Sequence, residues 1–544
     1  MIPVPSLAGF AAQCKRYQGT SLDAQPDVLI VRTKVPHPRP KVLPVERQAS
    51  PAASAILAID AGTTGVTALV VTATGLIVAE EYSEFPQYFP ADGQVEHDLG
   101  EIWSATLAAT RAALALVDLN IGAIGITNQR ETICFWDRET LGAARRAIVW
   151  QDRRTSARCE QLRADGHEQR VSELTGLRLD PYFSATKIAW VRENDEQTWS
   201  QVVSGRVAIG TIDSYLIARM TRGLHHLTDA TNASRTMLYN LKTGTWDPWL
   251  CELFGVPLDA LPEIVASYGV IGNSDPASFI GIEAPIAGIA GDQQAALVGQ
   301  TGFAAGSAKC TYGTGSFLLV HTGAKPAAST NGLLTTVALQ HPNGGRDFAL
   351  EGSVFVTGAA VQWLRDGLGI IDSVAEVEAL ARSVPDAGGV IFVPALTGLG
   401  APDWDPHARG LIIGITRGTT RAHIARATLD AIAYEVVDIV QLMRTEGGVD
   451  LQVLAVDGGA AANDLLCQLQ ADALGIPVHR SAHLQTTGLG AAFLAGLGTG
   501  VWESTNELIS IRRSSRVFAP GQPSSLGHER WRNAVRRSTA WAID

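Results

Sequence analysis

The sequence predicts an α/β protein built as two large domains, and three observations lead there. Strand-like apolar runs alternate with helical stretches along most of the chain, which is the pattern of layered α/β architecture. A strand, a Gly/Thr turn and a second strand open the ordered part at Ala55, and a similar unit returns at Cys310. The 544 residues also exceed the roughly 250–300 at which a single core stops growing.

Residues 1–53 stand apart. They hold Pro26, Pro36, Pro38, Pro40, Pro44 and Pro51, and proline at that density blocks helix and sheet alike, so an extended, disordered tail is expected. Residues 56–59 read as a buried strand, 60–65 as a turn, 66–71 as a second strand, 72–75 as a second turn and 76–79 as a third strand. Residues 121–127 form a strand that ends at Asn128-Gln129-Arg130-Glu131, and 207–210 a strand running into a helix from Thr211. Residues 286–290 break at Gly291-Asp292 into a helix over 293–297. In the second half, 310–312 lead into Gly313-Thr314-Gly315 and a strand over 317–320. Residues 454–456 break at Asp457-Gly458-Gly459 before a helix from about Asn463, and 529–541 have helical period. The repeated hairpin unit suggests an internal duplication, with domains at 54–300 and 301–544.

Composition narrows the function. Hydrophobic residues make up 46% and charged residues 18%, as in a globular protein. Lys+Arg number 43 against 54 Asp+Glu, a net charge of -11, and no basic stripe marks a nucleic-acid binder. Cys14, Cys134, Cys159, Cys251, Cys310 and Cys467 lie far apart without zinc spacing, which fits core fillers in a reducing compartment. No apolar run approaches the about 18 residues of a membrane span, and the start lacks a basic region before an apolar stretch. A cytoplasmic protein is the expectation by elimination.

Four motifs carry chemistry. In Asp60-Ala61-Gly62-Thr63-Thr64-Gly65 the glycines let backbone N–H groups converge on an anion, while an acid at a strand end can hold a metal through waters. An ordinary tight turn serves that stretch equally well. In Gly291-Asp292-Gln293-Gln294 a carboxylate at a strand–helix junction can take a proton from a hydroxyl, although aspartate also favours helix N-caps. Asn128-Gln129-Arg130-Glu131 can hydrogen-bond several hydroxyls of a polyol, or simply pair arginine with glutamate. The small residues from Asp457 to Asn463 let a nucleotide approach the backbone at a helix start, or let helix and sheet pack closely. The P-loop, protein-kinase and Gly-x-Ser-x-Gly signatures are missing, and residues 488–493 lack the context of a dinucleotide site.

Taken in order, these stretches resemble the FGGY carbohydrate kinase family. The resemblance rests on AIDAGTTG at 58–65, GQVEHD at 93–98, GITNQRET at 125–132, AIVWQDRR at 147–154 and TGLRLDPYFSATK at 175–187. It continues through TDATNASRTMLYN at 228–240, GIAGDQQAAL at 288–297, YGTGSF at 312–317, PALTGLGAPDWDP at 394–406 and the stretch 410–434. NQRE, DPYFS and GDQQ resemble the branch that acts on glycerol rather than on xylulose or gluconate.

The resemblance implies two actin/hexokinase-like (ribonuclease H-like) domains flanking a deep catalytic cleft. It implies transfer of the ATP γ-phosphoryl group to a terminal hydroxyl of glycerol. Arg130, Glu131, Tyr182, Asp292 and Gln293 would hold the polyol, with Trp150 and Phe317 against its carbons. Asp292 would be the base, and Asp60 with Asp292 would place Mg2+ through waters. Gly62, Thr63 and Thr64 would meet the phosphates, and Thr314, Gly358, Gln362, Gly459 and Asn463 would hold ATP. Members often form homodimers or homotetramers, so a homo-oligomer is expected.

Two departures stand out. Many members carry serine, serine and a nucleotide-contacting arginine where this chain has Gly65, Val66 and Thr67, so a weaker nucleotide contact is expected. Residues 272–284 lack the loop that binds fructose bisphosphate in some members and the histidine that a phosphotransferase system modifies in others, so neither form of regulation is expected. The alternatives are a family kinase for another polyol or sugar, and a non-catalytic actin-like ATP-binding protein.

Overall fold

The computed structural model describes residues 54–405, 407–512, 514–521 and 525–542. The proline-rich stretch at 1–53 lies outside the described residues. Two large sheets organise the rest. The first contains β1 (Ser54–Ala61), β2 (Gly65–Val71), β3 (Ile77–Glu84), β4 (Asn120–Asn128), β5 (Tyr268–Asn273) and β6 (Pro285–Gly291), in the order β5-β6-β4-β1-β2-β3. The second contains β7 (Ala308–Tyr312), β8 (Ser316–Gly323), β9 (Leu334–Gln340), β10 (Arg346–Val354), β11 (Leu454–Asp457), β12 (Val478–Ser481) and β13 (Ser514–Phe518). Its order is β9-β10-β8-β7-β11-β12-β13.

Apart from β9, the second sheet repeats the first in pairing and direction. β1–β2 and β2–β3 are antiparallel, as are β7–β8 and β8–β10. β4 joins β1 and β6 joins β4 in parallel, as β11 joins β7 and β12 joins β11. An antiparallel edge strand closes each set, β5 on β6 and β13 on β12. The duplication suggested by two short hairpins therefore extends through six strands.

Five helices matter for the site and its support: α1 (Leu99–Leu114), α2 (Asp292–Gly299), α3 (Arg421–Gly447), α4 (Asp464–Leu474) and α5 (Thr486–Thr499). Asp98 caps α1 by accepting from the Gly100 and Glu101 N–H groups, the usual way to satisfy first-turn donors. Both faces of β1 are covered. Leu57 and Ile59 pack in the cluster containing Trp103 of α1, whereas Ile56 and Ala58 join the cluster formed with α5. Two-sided burial explains why β1 is an unbroken apolar run rather than an alternating one.

α5 comes from the second half yet lies on the first sheet and against α2. Close approach needs small residues. A Cβ at Gly490 would stand 1.8 Å from the Ala295 carbonyl oxygen, and one at Gly125 would stand 2.1 Å from that of Ala491. The glycines of 488–493 thus serve helix packing.

Boundaries differ most from expectation in two places. β3 runs to Glu84 because exposed positions alternate through Val78, Glu80, Tyr82 and Glu84 on an edge strand, where one solvated face is tolerated. The final helix, α6 (Ser525–Ser538), starts and stops earlier than expected, and Ala540 beyond it has φ 54, which no α-helix continues.

Candidate active site

Three adjacent parallel strands deliver the first set of residues. Asp60 on β1 is in register with Thr127 on β4, and Gly291 on β6 with Asn128. Asp60, the loop from Gln129 to Glu131, and Asp292 therefore emerge together at one carboxyl edge, the usual location of sites in α/β sheets. The β1–β2 turn closes with Gly62 N–H donating to the Gly65 oxygen at 3.0 Å. A Cβ at Gly65 would overlap the Tyr82 ring at 2.4 Å. Tyr82 donates to Thr64 Oγ1 at 3.1 Å. Trp150 Nε1 donates to Thr63 Oγ1 at 3.0 Å, and Gln129 Nε2 to the Gly62 oxygen at 3.0 Å. The turn is thereby tied to the residues expected to hold a polyol. Thr67 is nearly buried between Asp60 and Tyr82 on neighbouring strands.

Arg130 is the centre of a buried charge cluster. Its Nε lies 3.1 Å from Asp292 Oδ1, and its two terminal nitrogens grip Glu351 at 2.5 and 3.0 Å. It also donates to Tyr182 Oη at 3.4 Å. Glu131, with φ 59, turns its carboxylate to Arg235, whose Nε donates to Oε1 at 2.7 Å. Arg235 also donates to Glu351 Oε1 at 2.9 Å. Burial opposes ionisation of Glu351, yet Arg130 and Arg235 outweigh it and hold the carboxyl down at about 2. Burial prevails at Glu131, whose carboxyl is lifted despite the same two arginines. The simple Arg130–Glu131 pair is loose at 3.6 Å, so Glu351 is the stronger partner.

An apolar wall faces these charges. The Trp150 ring meets Tyr182 edge-on at 5.5 Å and Phe317 at 6.3 Å between centroids. Lys187 fixes the Tyr182 loop by donating to the Pro181 and Tyr182 carbonyls, each at 2.7 Å. Asp292 is not a cap: Gly291 holds the N-cap position of α2, and Asp292 Oδ1 accepts from the Gln293 N–H at 2.7 Å. Its side chain keeps 29% exposure, whereas those of Arg130 and Glu351 keep 1% and 0%. The structure thus brings Arg130, Glu131, Trp150, Tyr182, Asp292, Gln293 and Phe317 together.

The second sheet supplies a matching edge. β7 and β11 are parallel, with Thr311 in register with Asp457, so the turn at Thr314 and the loop at Gly459 leave the same side. Gly313 N–H donates to the Gly315 oxygen at 2.8 Å, closing this turn as Gly62 closes the first. Gly358 N–H donates to the Gly313 oxygen at 3.0 Å, and Gln362 lies one turn further along the same helix, exposed. Gly458 has φ 84 and abuts the Tyr312 backbone, so it is a backbone requirement. Gly459 differs: a Cβ there would meet nothing within 4 Å. Open space rather than close packing explains that glycine. Asn463 Oδ1 accepts from the Leu466 N–H at 2.9 Å and caps α4.

Asp60 is the electrostatic anomaly. Burial, with the Asp292 charge adding to it, pushes its carboxyl up to about 7. Two facing carboxylates of this kind suit a hard divalent cation that retains most of its waters. Among the described residues no cluster of three or more His, Cys, Asp or Glu side chains that could hold a metal ion exists.

Sequence reasoning missed Arg235, Glu351, Lys187 and Lys309. Arg235 and Lys187 lie inside stretches that carried the resemblance, but nothing local gave them a partner. The five cysteines among the described residues are free and buried, and no described helix is long and apolar enough to cross a membrane.

Comparison with known proteins agrees with this geometry. Residues 55–299 match the N-terminal domain and residues 308–499 the C-terminal domain of the FGGY family of carbohydrate kinases. The glycerol kinase of Polaromonas naphthalenivorans is 52% identical over 493 residues, covering 89% of this chain and 99% of its own length. That of Alkalilimnicola ehrlichii is 51% identical over 498 residues, with 90% and 99% covered. The crystal structure of Plasmodium falciparum glycerol kinase with ADP superposes with a TM-score of 0.84 at 35% identity, over 89% of this chain and 98% of that one. Gluconate kinase from Lactobacillus acidophilus shares the fold, with a TM-score of 0.79 at 22% identity, over 90% of this chain and 97% of that one. With a matching family domain on each of its two sheets and relatives half identical along nearly their whole length, the chain belongs to the FGGY family of carbohydrate kinases.

Proposed function

We propose that this enzyme phosphorylates glycerol at a terminal hydroxyl, using ATP and giving glycerol 3-phosphate and ADP. The observation that carries the reading is the meeting of Asp292 with Arg130, Glu131, Tyr182 and Gln293 under the Trp150–Phe317 wall. A small polyol needs many polar contacts to its hydroxyls and one apolar face for its carbons.

Asp292 acts as the base. Arg130 beside Oδ1 fixes one side of the carboxylate, and its exposed side remains for the acceptor hydroxyl. That hydroxyl gives its proton to Asp292 while its oxygen forms the new bond to the γ-phosphorus. The bond from that phosphorus to the bridging oxygen breaks, and ADP leaves with the electron pair. Phosphoryl transfer of this kind depends on in-line positioning and charge stabilisation rather than covalent help from the protein. Gly62, Thr63 and Thr64 hold the phosphates from the first domain; Thr314, Gly358, Gln362, Gly459 and Asn463 hold the nucleotide from the second. Asp60 and Asp292 would hold Mg2+ through waters, and the ion, when bound, supplies neutralisation of phosphate charge. Burial of the polyol between the sheets excludes water, the competing acceptor.

The test is ADP release with Mg-ATP and glycerol, dihydroxyacetone, erythritol, xylulose or gluconate. Glycerol is expected to drive release. Asp292→Asn is expected to lower kcat by about 10²–10⁴-fold, the range for a positioned base, with ATP binding retained. Release driven by another substrate alone would keep the kinase chemistry and discard glycerol.

A further inference from the structure

Lys309 has no part in the mechanism above. It lies on β7, in the second half, and is fully buried. A buried ammonium is costly unless compensated, and burial lowers its pKa below the usual lysine value while Asp457, and less strongly Asp292 and Glu351, oppose the fall. Among the described residues none of these carboxylates forms a salt bridge with it. Its hydrogen bonds go instead to Gln293 Oε1 and, at 2.9 Å, to Thr311 Oγ1.

The contact with Gln293 determines an orientation. An ammonium only donates, so the amide face turned towards Lys309 is the carbonyl oxygen. The N–H2 group then points away from Lys309, and it donates to no described residue. Gln293 directly follows Asp292 on α2, and its backbone N–H donates to Asp292 Oδ1 at 2.7 Å. The side chain therefore belongs to the first-domain pocket, while its anchor comes from the second sheet. A polyol hydroxyl accepts through its oxygen as well as donating its proton, so a polyol pocket needs donors beside its carboxylates. The outward N–H2 supplies one.

We propose that Lys309 is a positioning residue for the acceptor polyol, fixing the Gln293 amide so that its N–H2 faces a substrate hydroxyl. The inference rests on the polyol-kinase reading. It makes polyol affinity depend on a residue of the nucleotide-binding half.

A mutant cycle on the full chain tests it, with Lys309→Met, Gln293→Met and the double variant assayed for glycerol KM, ATP KM and kcat. Each single change is expected to raise glycerol KM about tenfold, the loss of roughly one hydrogen bond, with ATP KM little changed. The double variant is expected to match the weaker single variant, because both changes remove one device. Multiplied effects in the double variant, or an unchanged glycerol KM in Lys309→Met, would overturn the proposal. A general structural defect would instead shift both KM values and kcat together, and would count against it too. Should Lys309→Met fail to fold, Gln293→Glu decides. That change keeps an oxygen for Lys309 but replaces the outward donor with an acceptor, so glycerol KM should rise at least tenfold with the thermal midpoint kept. An unchanged glycerol KM would overturn the proposed orientation. Failure of the wild-type enzyme to use glycerol counts against the proposed function instead, and the cycle is then read with the polyol that does drive ADP release.

Discussion

Glu351→Gln tests the charge cluster most directly. The substitution keeps the size of the side chain and removes the charge that Arg130 and Arg235 share. The Glu351 carboxyl titrates at about 2 against an ordinary 4.5, a difference worth about 3 kcal/mol at neutral pH. Breaking a buried ion pair by removing one partner costs about 3–5 kcal/mol, so the two figures agree in scale. Because the folded pKa is depressed, this stabilisation is present above pH 4.5 and is lost as pH falls from there towards 2. The variant should therefore have a lower denaturation midpoint at pH 7, and the deficit should shrink towards pH 3. Function should suffer as well. Arg130 loses its bidentate anchor, and a charge-assisted hydrogen bond to a hydroxyl contributes about 1.5–3 kcal/mol, so glycerol KM should rise roughly ten- to a hundredfold. Paired measurements of unfolding against pH and of glycerol KM check both claims. A Glu351→Gln enzyme with wild-type midpoint and wild-type glycerol KM would refute the assignment of Glu351 as the anchor of Arg130.

Three further outcomes follow from other parts of the molecule. Gly459→Val fills open space, so it should raise ATP KM and leave glycerol KM and the unfolding midpoint unchanged; a lower midpoint would show that the site is packed. Asp60 has a raised folded pKa of about 7, so without ligand its contribution to stability is present below pH 3.8 and is lost as pH rises through 7. Binding of Mg-ADP at pH 6 should then release a proton, measurable by calorimetry in buffers of different ionisation enthalpy, and Asp60→Asn should abolish the release. Fructose bisphosphate should not alter the rate, because residues 272–284 contain no lysine or arginine to hold its phosphates while Asp275 and Glu283 would repel them; clear inhibition would contradict this.

What could be read in the sequence was what is local. The meander at 56–79, the strand before Asn128 and the strand–helix junction at Asp292 each carry their own turn or period signal, and the structure has all three. Glu351 had no such signal. It sits in β10, whose last seven residues are all buried, so no alternation of polar and apolar positions marks it. Its partner Arg130 is 221 residues away, and the two meet where α2 of the first half packs on the second sheet. Lys309 is hidden in the same way, one residue before a cysteine in a buried strand. Gly459 could be read as a nucleotide contact or as a packing device, and the open space beside it argues against the packing reading.

The duplicated topology gives the two halves equivalent elements at the candidate site. In each sheet the antiparallel hairpin ends in a Gly/Thr turn, at Gly62 to Gly65 and at Gly313 to Gly315, and the neighbouring parallel strand ends in a loop of the candidate site, at Asn128 and at Asp457. Each half thus offers one turn and one loop at an equivalent carboxyl edge. Transfer between two ligands requires the edges to face one another in a fixed relation, which neither sheet can enforce alone. The Arg130–Glu351 and Gln293–Lys309 contacts each join a residue of the first edge to a buried charge on the second sheet. Buried charges are an expensive way to join two surfaces, and an apolar contact would hold them with less penalty. Charges have the advantage of direction: each fixes the orientation of a side chain in the proposed polyol site. The apolar packing of α5 on the first sheet holds the halves together, and the charged contacts set side chains of the proposed site.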